Sequence, residues 1–333
     1  MPEPEAPQRN AAIAAGFDMM HRSRVGDRGR STELERAAGR RRRRRRRSGA
    51  WSYLFVAPAV LAILAAFVYP LCEDIRFSLY SGAIGELVYV GTANYAGLWQ
   101  HPVFLHSVVN NLKLLATVPI MTVLALIIAL ILNAQIRGWR QYRAIVFLPY
   151  ILPATGIGLV FSYLLEENGV LNTQLRLWHL NVVAANWLGS SQLVVPTIGG
   201  VIIWQQLGFG VVVFTAALLA VPKELVEAAR IDGATGWQVQ RAILIPYVRR
   251  VIEFFMVVEA ITVLSAIFTY VFVLTKGGPA EASSMMEYYV FENGFENGAI
   301  GVASAAVVML LLIACVLIVI YLRLRTRAAE EGR

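Results

Sequence analysis

The chain has 333 residues, of which 57% are hydrophobic, and carries two cysteines and a formal net charge of +8. That apolar share exceeds what an ordinary soluble domain uses, and two widely separated cysteines exclude a disulfide framework. Several apolar runs reach the roughly 20 residues needed to cross a hydrocarbon core of about 30 Å. The composition therefore predicts an all-α, polytopic membrane protein.

Residues 1–50 are rich in Arg, Ala, Glu and Gly and end in eight consecutive arginines, Arg40–Arg47. Such a segment buries too little apolar area to offset its ordering entropy, so a disordered tail is expected. A basic run this dense suits nucleic acid or anionic lipid. Here an apolar run begins a few residues later, which favours a topological anchor kept on the cytoplasmic side. Contact with anionic membrane lipids stays open; a nucleic-acid partner is not expected. No cleavable signal is visible, so the first apolar run is expected to direct insertion itself.

Six apolar segments follow, near 53–75, 105–132, 143–165, 193–220, 250–274 and 299–322. Pro119 interrupts the second, and Pro149 with Pro153 the third; prolines kink membrane helices, and neighbours then satisfy the freed carbonyls. Basic residues alternate between the connections. Arg137, Arg140 and Arg143 lie on one side with Lys223, Arg230, Arg241, Arg249, Arg250, Arg323, Arg325, Arg327 and Arg333; the other side has only Arg76, Arg176 and Lys276. The bias places both termini, including a tail at 326–333, in the cytoplasm. The outward loops are then 76–104, 166–192 and 275–298. They hold Trp99, Trp178 and Trp187, which suit the membrane interface. The middle loop has room for a short interfacial helix, and the last opens on a Gly-Gly-Pro turn signal.

The polar stretch at 222–248 interrupts this pattern on the cytoplasmic side. Pro222 marks a helix start, with Leu225, Ala228 and Ala229 on one face. Glu227 and Arg230 are spaced to pair, Asp232-Gly233 reads as a turn, and Thr235 with Gln238 forms a capping box for a second short helix that Pro246 is expected to stop. Taken alone, this is a helix–turn–helix with a small-residue face, or an ordinary solvated loop.

The spacing resolves the choice. Glu227-Ala228-Ala229, three residues, Gly233, nine residues, then Ile243 and Ile245-Pro246 resembles the EAA signature of ABC-importer permeases. Asp232-Gly233-Ala234 matches its sugar-importer form. Ile245 stands where leucine is usual, and Arg250 where a proline often ends the motif. The stretches NNLKLLATVPIMTVLALIIALILN, RAIVFLPYILPATGIGLVFSYLLEENGVLN and VLTKGGP are similar to the maltose and glycerol-phosphate type of permease, so the likeness covers residues 51–325. It implies the six-helix type I importer fold with a cytoplasmic coupling helix, in a bacterial cytoplasmic (inner) membrane. It also implies partners: a second permease subunit, two ATPase subunits and an extracytoplasmic solute-binding protein. By that resemblance Glu227, Ala228, Ala229 and Gly233, flanked by Arg230, Asp232 and Ala234, form the ATPase-coupling contact. Glu227 would meet a basic residue, the alanines would set close approach, and Gly233 the turn. The solute would be a carbohydrate or sugar-like compound.

No GxxxxGK[ST] loop occurs, so ATP hydrolysis falls to a partner. His101 and His106 do not make a metal cluster, and no nucleophile and base stand together, so neither an enzyme nor a cofactor or metal site is expected. Polar residues inside spans are costly and often functional. Glu259 is the clearest; Gln205, Thr262 and Ser265 offer hydrogen bonds to a passing solute, and Tyr150 a stacking face. Asn110, Asn111, Thr155, Gln206, Trp204 and Tyr270 are further candidates. Each has the alternative of gluing helices together. Lys113 is not expected to pair with Glu259. A stand-alone secondary transporter is the competing function. It would need a coupling-ion site and repeat symmetry, and it leaves the EAA stretch unexplained. A membrane-anchored regulator built on the arginine tail would leave six spans without a task.

Overall fold

A computed structural model describes residues 55–82, 86–134 and 137–330. The expected disordered tail at 1–50, with Arg40–Arg47, lies outside the described residues. Contacts divide the chain into two units, Met1–Leu71 and Cys72–Arg333. The described part of the first is the beginning of α1 (Phe55–Phe77), an apolar helix of spanning length.

The second unit is helical apart from a two-residue antiparallel pair, β1 (Tyr80–Ser81) with β2 (Val88–Tyr89). After α2 (Ala93–Gln100), α3 (Pro102–Leu114) and α4 (Thr117–Asn133) form one apolar stretch long enough to span. Pro119 falls in the first turn of α4, where its missing N–H would have had no helical partner in any case. The next span is α5 (Trp139–Ile151) with α6 (Ala154–Leu164), bent by 95°. Pro153 explains the bend: it drives Leu152 into an extended conformation, as the residue before proline prefers. Pro149 stays inside α5.

A short helix, α7 (Val170–Leu177), occupies the loop before α8 (Val194–Leu219). Next come α9 (Lys223–Ile231) and a continuous α10 (Gly236–Ser265) bent by 48° against α11 (Phe268–Leu274). After α12 (Met286–Phe291) the chain ends in α13 (Ile300–Glu330). Among the described residues, four helices are thus long and apolar enough to cross a membrane, or six spans if each bent pair counts as one.

One expectation needs correction. Pro246 does not stop the helix after the polar turn; it sits in the first turn of a segment that runs on from Gly236. A proline ring clashes with the carbonyl four residues back and lacks an N–H. The chain accommodates it with a wide π turn over Gln240–Leu244, where the Ile245 N–H reaches Gln240 O and the register shifts by one residue. As expected, Pro222 marks the start of α9, as its N-cap. Within the expected tail at 326–333, α13 continues as far as Glu330.

Among the described residues two apolar clusters hold the spans from α3 to α11, and a third, with Leu98, Phe104, Tyr289, Ala305 and Ala306, holds α13. Leu114, Val118, Ile157, Ile198, Ile202, Val263, Ile267 and Tyr270 form one around the bent pairs. Met121, Ala125, Phe214, Leu218, Val239, Leu244, Val248 and Phe255 form the other, toward the α8–α9 end. Helix α8 runs through both and approaches its neighbours closely, because lipid offers no hydrophobic drive and small residues must let backbones meet. A Cβ on Gly208 would lie 2.5 Å from the Val146 carbonyl oxygen of α5, and one on Gly210 2.7 Å from the Phe255 ring. Helix α4 turns Met121, Ala125 and Ala129 inward and leaves Ile120, Val123, Ile127 and Ile131 exposed, the pattern of a helix with lipid on its outer face.

Gly208→Val should force α5 and α8 apart and cost about 1–3 kcal/mol, read as a lower unfolding midpoint of the purified protein in detergent. Gly200→Ala, whose Cβ would meet nothing within 4 Å, is the control expected to leave the midpoint in place. Equal midpoints for wild type and Gly208→Val would refute the close packing.

Candidate coupling elbow and intramembrane polar site

The elbow between α8 and α10 is shaped by its own capping residues. Glu224 lies in the first turn of α9 and Arg230 in its last, signs that complement the helix dipole. Beyond Asp232, Gly233 adopts φ +84°. Its N–H reaches Arg230 O at 3.1 Å, and the Ala234 N–H reaches Ala229 O at 2.9 Å. These two bonds make a Schellman cap, which needs a left-handed residue where Gly233 stands. A Cβ there would meet nothing within 4 Å, so the glycine answers to a dihedral and not to crowding. The expected capping box is present: Thr235 N–H donates to Gln238 Oε1 at 2.7 Å, and the Gln238 N–H to Thr235 Oγ1 at 3.4 Å.

Of the seven elbow residues named from sequence, Glu227, Ala228, Arg230, Asp232 and Gly233 are exposed, while Ala229 and Ala234 are half-buried. Those two alanines pack, with Val226, against the cluster formed by Val239, Leu244 and Val248. Ala228 is thus available for close approach from outside, and Ala229 seats the helix on its own protein. The described ion pairs are Arg76–Glu73 and Arg249–Glu253; the expected Glu227–Arg230 pair is not among them. Sequence reasoning passed over Ile231 and Trp237, 86% and 65% exposed on either side of the turn. Large apolar side chains flanking a polar turn were the available signal.

Within the spans, Glu259 on α10 is 2% exposed, and its Oε2 has no hydrogen-bond partner among the described residues. It is close enough to Tyr270 on α11 for the two to interact electrostatically. Gln205 on α8 is also buried, with both ends of its amide engaged. Its Nε2 donates to the Leu152 carbonyl at 2.9 Å, and its Oε1 accepts from the Tyr270 hydroxyl. One side chain therefore joins the bend in α5–α6 to the piece beyond the bend in α10–α11. Thr262 and Ser265 turn their hydroxyls back on α10, donating to Val258 O at 3.0 Å and Ile261 O at 2.7 Å. Tyr150 stacks on Phe209 with ring centroids 5.2 Å apart. Trp204 packs on Phe161 beside an apolar groove of about 260 Å³ at the α5–α6 bend. The structure brings Gln205, Tyr270 and Glu259 into one neighbourhood and does not bring Tyr150, Thr262 and Ser265 into a shared polar cluster with them.

Asn110 and Asn111 are structural. The Asn110 Nδ2 donates to Ala282 O at 2.8 Å and Ser284 O at 3.0 Å. The Asn111 Oδ1 accepts from the Met286 N–H at 2.8 Å, and its Nδ2 donates to the Glu287 carboxylate at 3.1 Å. Together they clamp the loop before α12 onto α3. Lys113 donates to Asn110 Oδ1 at 3.3 Å, which agrees with leaving it unpaired with Glu259. Glu287 is half-buried, and desolvation pushes its carboxyl up to about 7 against the opposing hydrogen bonds from its own backbone and Asn111. Among the described residues no group of three or more His, Cys, Asp or Glu side chains is placed to hold a metal ion.

Residues 112–329 match the family described as the binding-protein-dependent transport system inner membrane component. The chain belongs to that family. It is 30% identical over 286 residues to the probable ABC transporter permease protein YurN of Bacillus subtilis, covering 84% of this chain and 97% of the relative. It is 30% identical to the lactose transport system permease protein LacF of Rhizobium radiobacter, covering 73% and 83%. A bacterial ABC transporter that imports the polysaccharide alginate contains a chain of the same fold, with a TM-score of 0.73, 22% identity and coverage of 84% and 96%. This importer permease is therefore a transport component of an ABC system, set in the inner membrane by several spanning helices and dependent on a solute-binding protein.

Two measurements test the polar contacts. Gln205→Leu leaves the Leu152 carbonyl and the Tyr270 hydroxyl unpaired, a loss of about 1–3 kcal/mol per buried group. Tyr270→Phe, which removes the hydroxyl together with its need for a partner, should lower the unfolding midpoint less; the reverse order would contradict the bridge. For Glu287 the folded carboxyl titrates near 7 and the free one near 4.5. Between those values the folded state holds more protons, so its stability falls as pH rises. Glu287→Gln should flatten that slope in a series of melts from pH 5 to about 7, and an unchanged slope would show that another group sets it.

Proposed function

We propose that this permease forms half of the translocation pathway for a carbohydrate or sugar-like solute and is driven by a separate ATPase gripping the elbow at α9. The continuity of α10 carries the reading. One helix runs from Gly236, beside the elbow, to Ser265, and it bears Glu259 in the interior of the membrane-spanning region. A displacement of the elbow is thereby delivered to the buried carboxylate and to the bend that follows it. The exposed elbow residues Glu227, Ala228, Arg230, Asp232 and Gly233 would carry the ATPase contact, joined by Ile231 and Trp237. Ala229 and Ala234 would transmit the push inward through the cluster they pack on. The names of relatives support the solute class: lactose, alpha-glucoside, diacetylchitobiose and sn-glycerol-3-phosphate permeases.

The assembly we infer has a second permease subunit, two ATPase subunits and an extracytoplasmic solute-binding protein. The elbow and both termini face the cytoplasm, as the arginine and lysine bias asks. The arginine run at 40–47 holds that orientation, with anionic lipid headgroups as its counter-charge. The unit at 51–325 is the permease domain. Within it Glu259 leads the pathway residues, with Gln205 and Tyr270 holding the bends around it, and Tyr150, Thr262 and Ser265 as secondary contributors.

Reconstituted vesicles separate the two roles. Glu227→Lys should cut the ATPase stimulation by solute-loaded binding protein by about tenfold, equivalent to about 1.4 kcal/mol of coupling, while the spans stay folded. Glu259→Gln should leave the complex assembled and its ATPase responsive, yet lower solute uptake. Wild-type stimulation in the first variant removes the elbow from coupling; wild-type uptake in the second removes Glu259 from the pathway.

A further inference from the structure

The loop between α6 and α8 buries a polar side chain and exposes several large apolar ones. Its short helix α7 turns the polar Asn172 inward, where it is 1% exposed. Its Nδ2 donates to Glu167 O at 3.0 Å and Ala185 O at 2.8 Å, and its Oδ1 accepts from Trp187 Nε1 at 2.9 Å. Leu171 and Leu175 of the same helix are half-buried on its inner side, but its other apolar residues are exposed. Val170, Leu177 and Trp178 are 65%, 65% and 67% exposed, and Val182 is fully so. Val170, Leu177 and Trp178 lie on the outer face of α7 at helical spacing, with the exposed Gln174 between Val170 and Trp178. Arg176 does not interrupt that face, because its guanidinium folds back to Asn168 Oδ1 and Glu167 O.

The helix end then brings more apolar residues alongside. His179 takes φ +60°, its N–H reaches Arg176 O, and the Leu180 N–H reaches Leu175 O at 2.8 Å. This Schellman cap reverses the chain and leaves Leu180, Val182 and Val183 exposed too. A water-facing loop would be expected to place these residues inward and Asn172 outward. The spanning helices bounding the loop end at Leu164 and begin again at Val194, and Leu159, Val160 and Tyr163 at that end of α6 are exposed as well. The apolar face of the loop lies at the end of α8 opposite the elbow.

We propose that Val170–Val183 is a membrane-interface foot, its apolar face sunk into the headgroup–acyl boundary of the leaflet opposite the elbow. Tryptophan and leucine on such a face reach about 5–10 Å into that boundary. The foot seats the outer ends of α6 and α8 at a fixed depth, since Leu171, Trp187 and Leu188 on its inner side pack on the cluster that includes Leu165, Val194 and Ile198. The inference does not depend on the elbow reading.

The test uses the full-length protein in phosphatidylcholine vesicles whose acyl chains carry bromine close to the headgroup. The emission of Trp178 is taken as wild type minus Trp178→Phe. It should be blue-shifted, quenched by the brominated lipid and insensitive to aqueous acrylamide. Red emission quenched by acrylamide overturns the proposal. So does shielding that appears only after solute-binding protein is added, which would make the face a protein dock. Val182→Asp alters a side chain that touches nothing within the protein and should leave the fold intact. It should raise acrylamide quenching of Trp178 by about twofold by lifting the foot; unchanged quenching in that variant also overturns the proposal.

Discussion

Hydrocarbon offers no hydrogen bonds, so a chain that breaks its helices at membrane depth must supply the partners itself. The Leu152 carbonyl at the 95° bend illustrates the requirement. Pro153 ends α5 there, and the carbonyl before it cannot enter an ordinary helical ladder. Gln205 answers from α8 and spends its remaining acceptor on Tyr270, beyond the second bend. The two broken spans are therefore not independent. Moving one drags on the amide that also holds the other, and leaving either partner unpaired in that environment is more costly than moving both together.

The same economy of polar groups shapes the ends of the spans. On one side, Asn110 and Asn111 tie a loop more than 170 residues away in sequence to α3. On the other, the elbow closes its orphan backbone groups with a Schellman cap and a capping box before the chain re-enters the apolar region. The π turn at Gln240–Leu244 lets Pro246 sit within a helix that would otherwise break. Had the helix broken there, a force on α9 would be lost in a flexible joint. Because it does not, one continuous helix runs from Gly236, just after the elbow, past Glu259, which the proposed coupling requires.

Local features of this design were legible in the sequence. The turn at Asp232-Gly233, the Thr235–Gln238 box, the bend at Pro153 and the apolar segments are set by residues close together in the chain. So was the family, whose spacing over Glu227 to Pro246 is hard to meet by chance. Pro246 misled because its usual effect is to end a helix, and the wide turn upstream that absorbs it has no residue signature of its own. Ala229 was grouped with Ala228 because both are small; which of the two faces the protein depends on Val239 and Leu244 packing under the elbow. Gln205 and the asparagines were visible as polar residues in apolar runs. Their partners are backbone carbonyls, which carry no identity in the sequence, so the choice between gluing helices and meeting solute had to await the fold.

That choice also narrows where a solute can find an unengaged group. Thr262 and Ser265 have spent their donors on their own helix, Gln205 has spent its amide, and the asparagines hold the loop before α12. Among the described residues, two buried side-chain polar atoms are left without a hydrogen-bond partner: Ser284 Oγ in that loop and Glu259 Oε2 within α10. A buried acceptor held open in this way is costly, and proteins tolerate that cost most often where a ligand relieves it. A sugar hydroxyl donating to Glu259 would pair the open acceptor without displacing any bond the spans rely on. Taking up Gln205, Asn110 or Asn111 would first require breaking a contact that keeps a bend or a loop in place. The pathway role proposed for Glu259 thus rests on the same accounting of hydrogen bonds that holds the broken helices together.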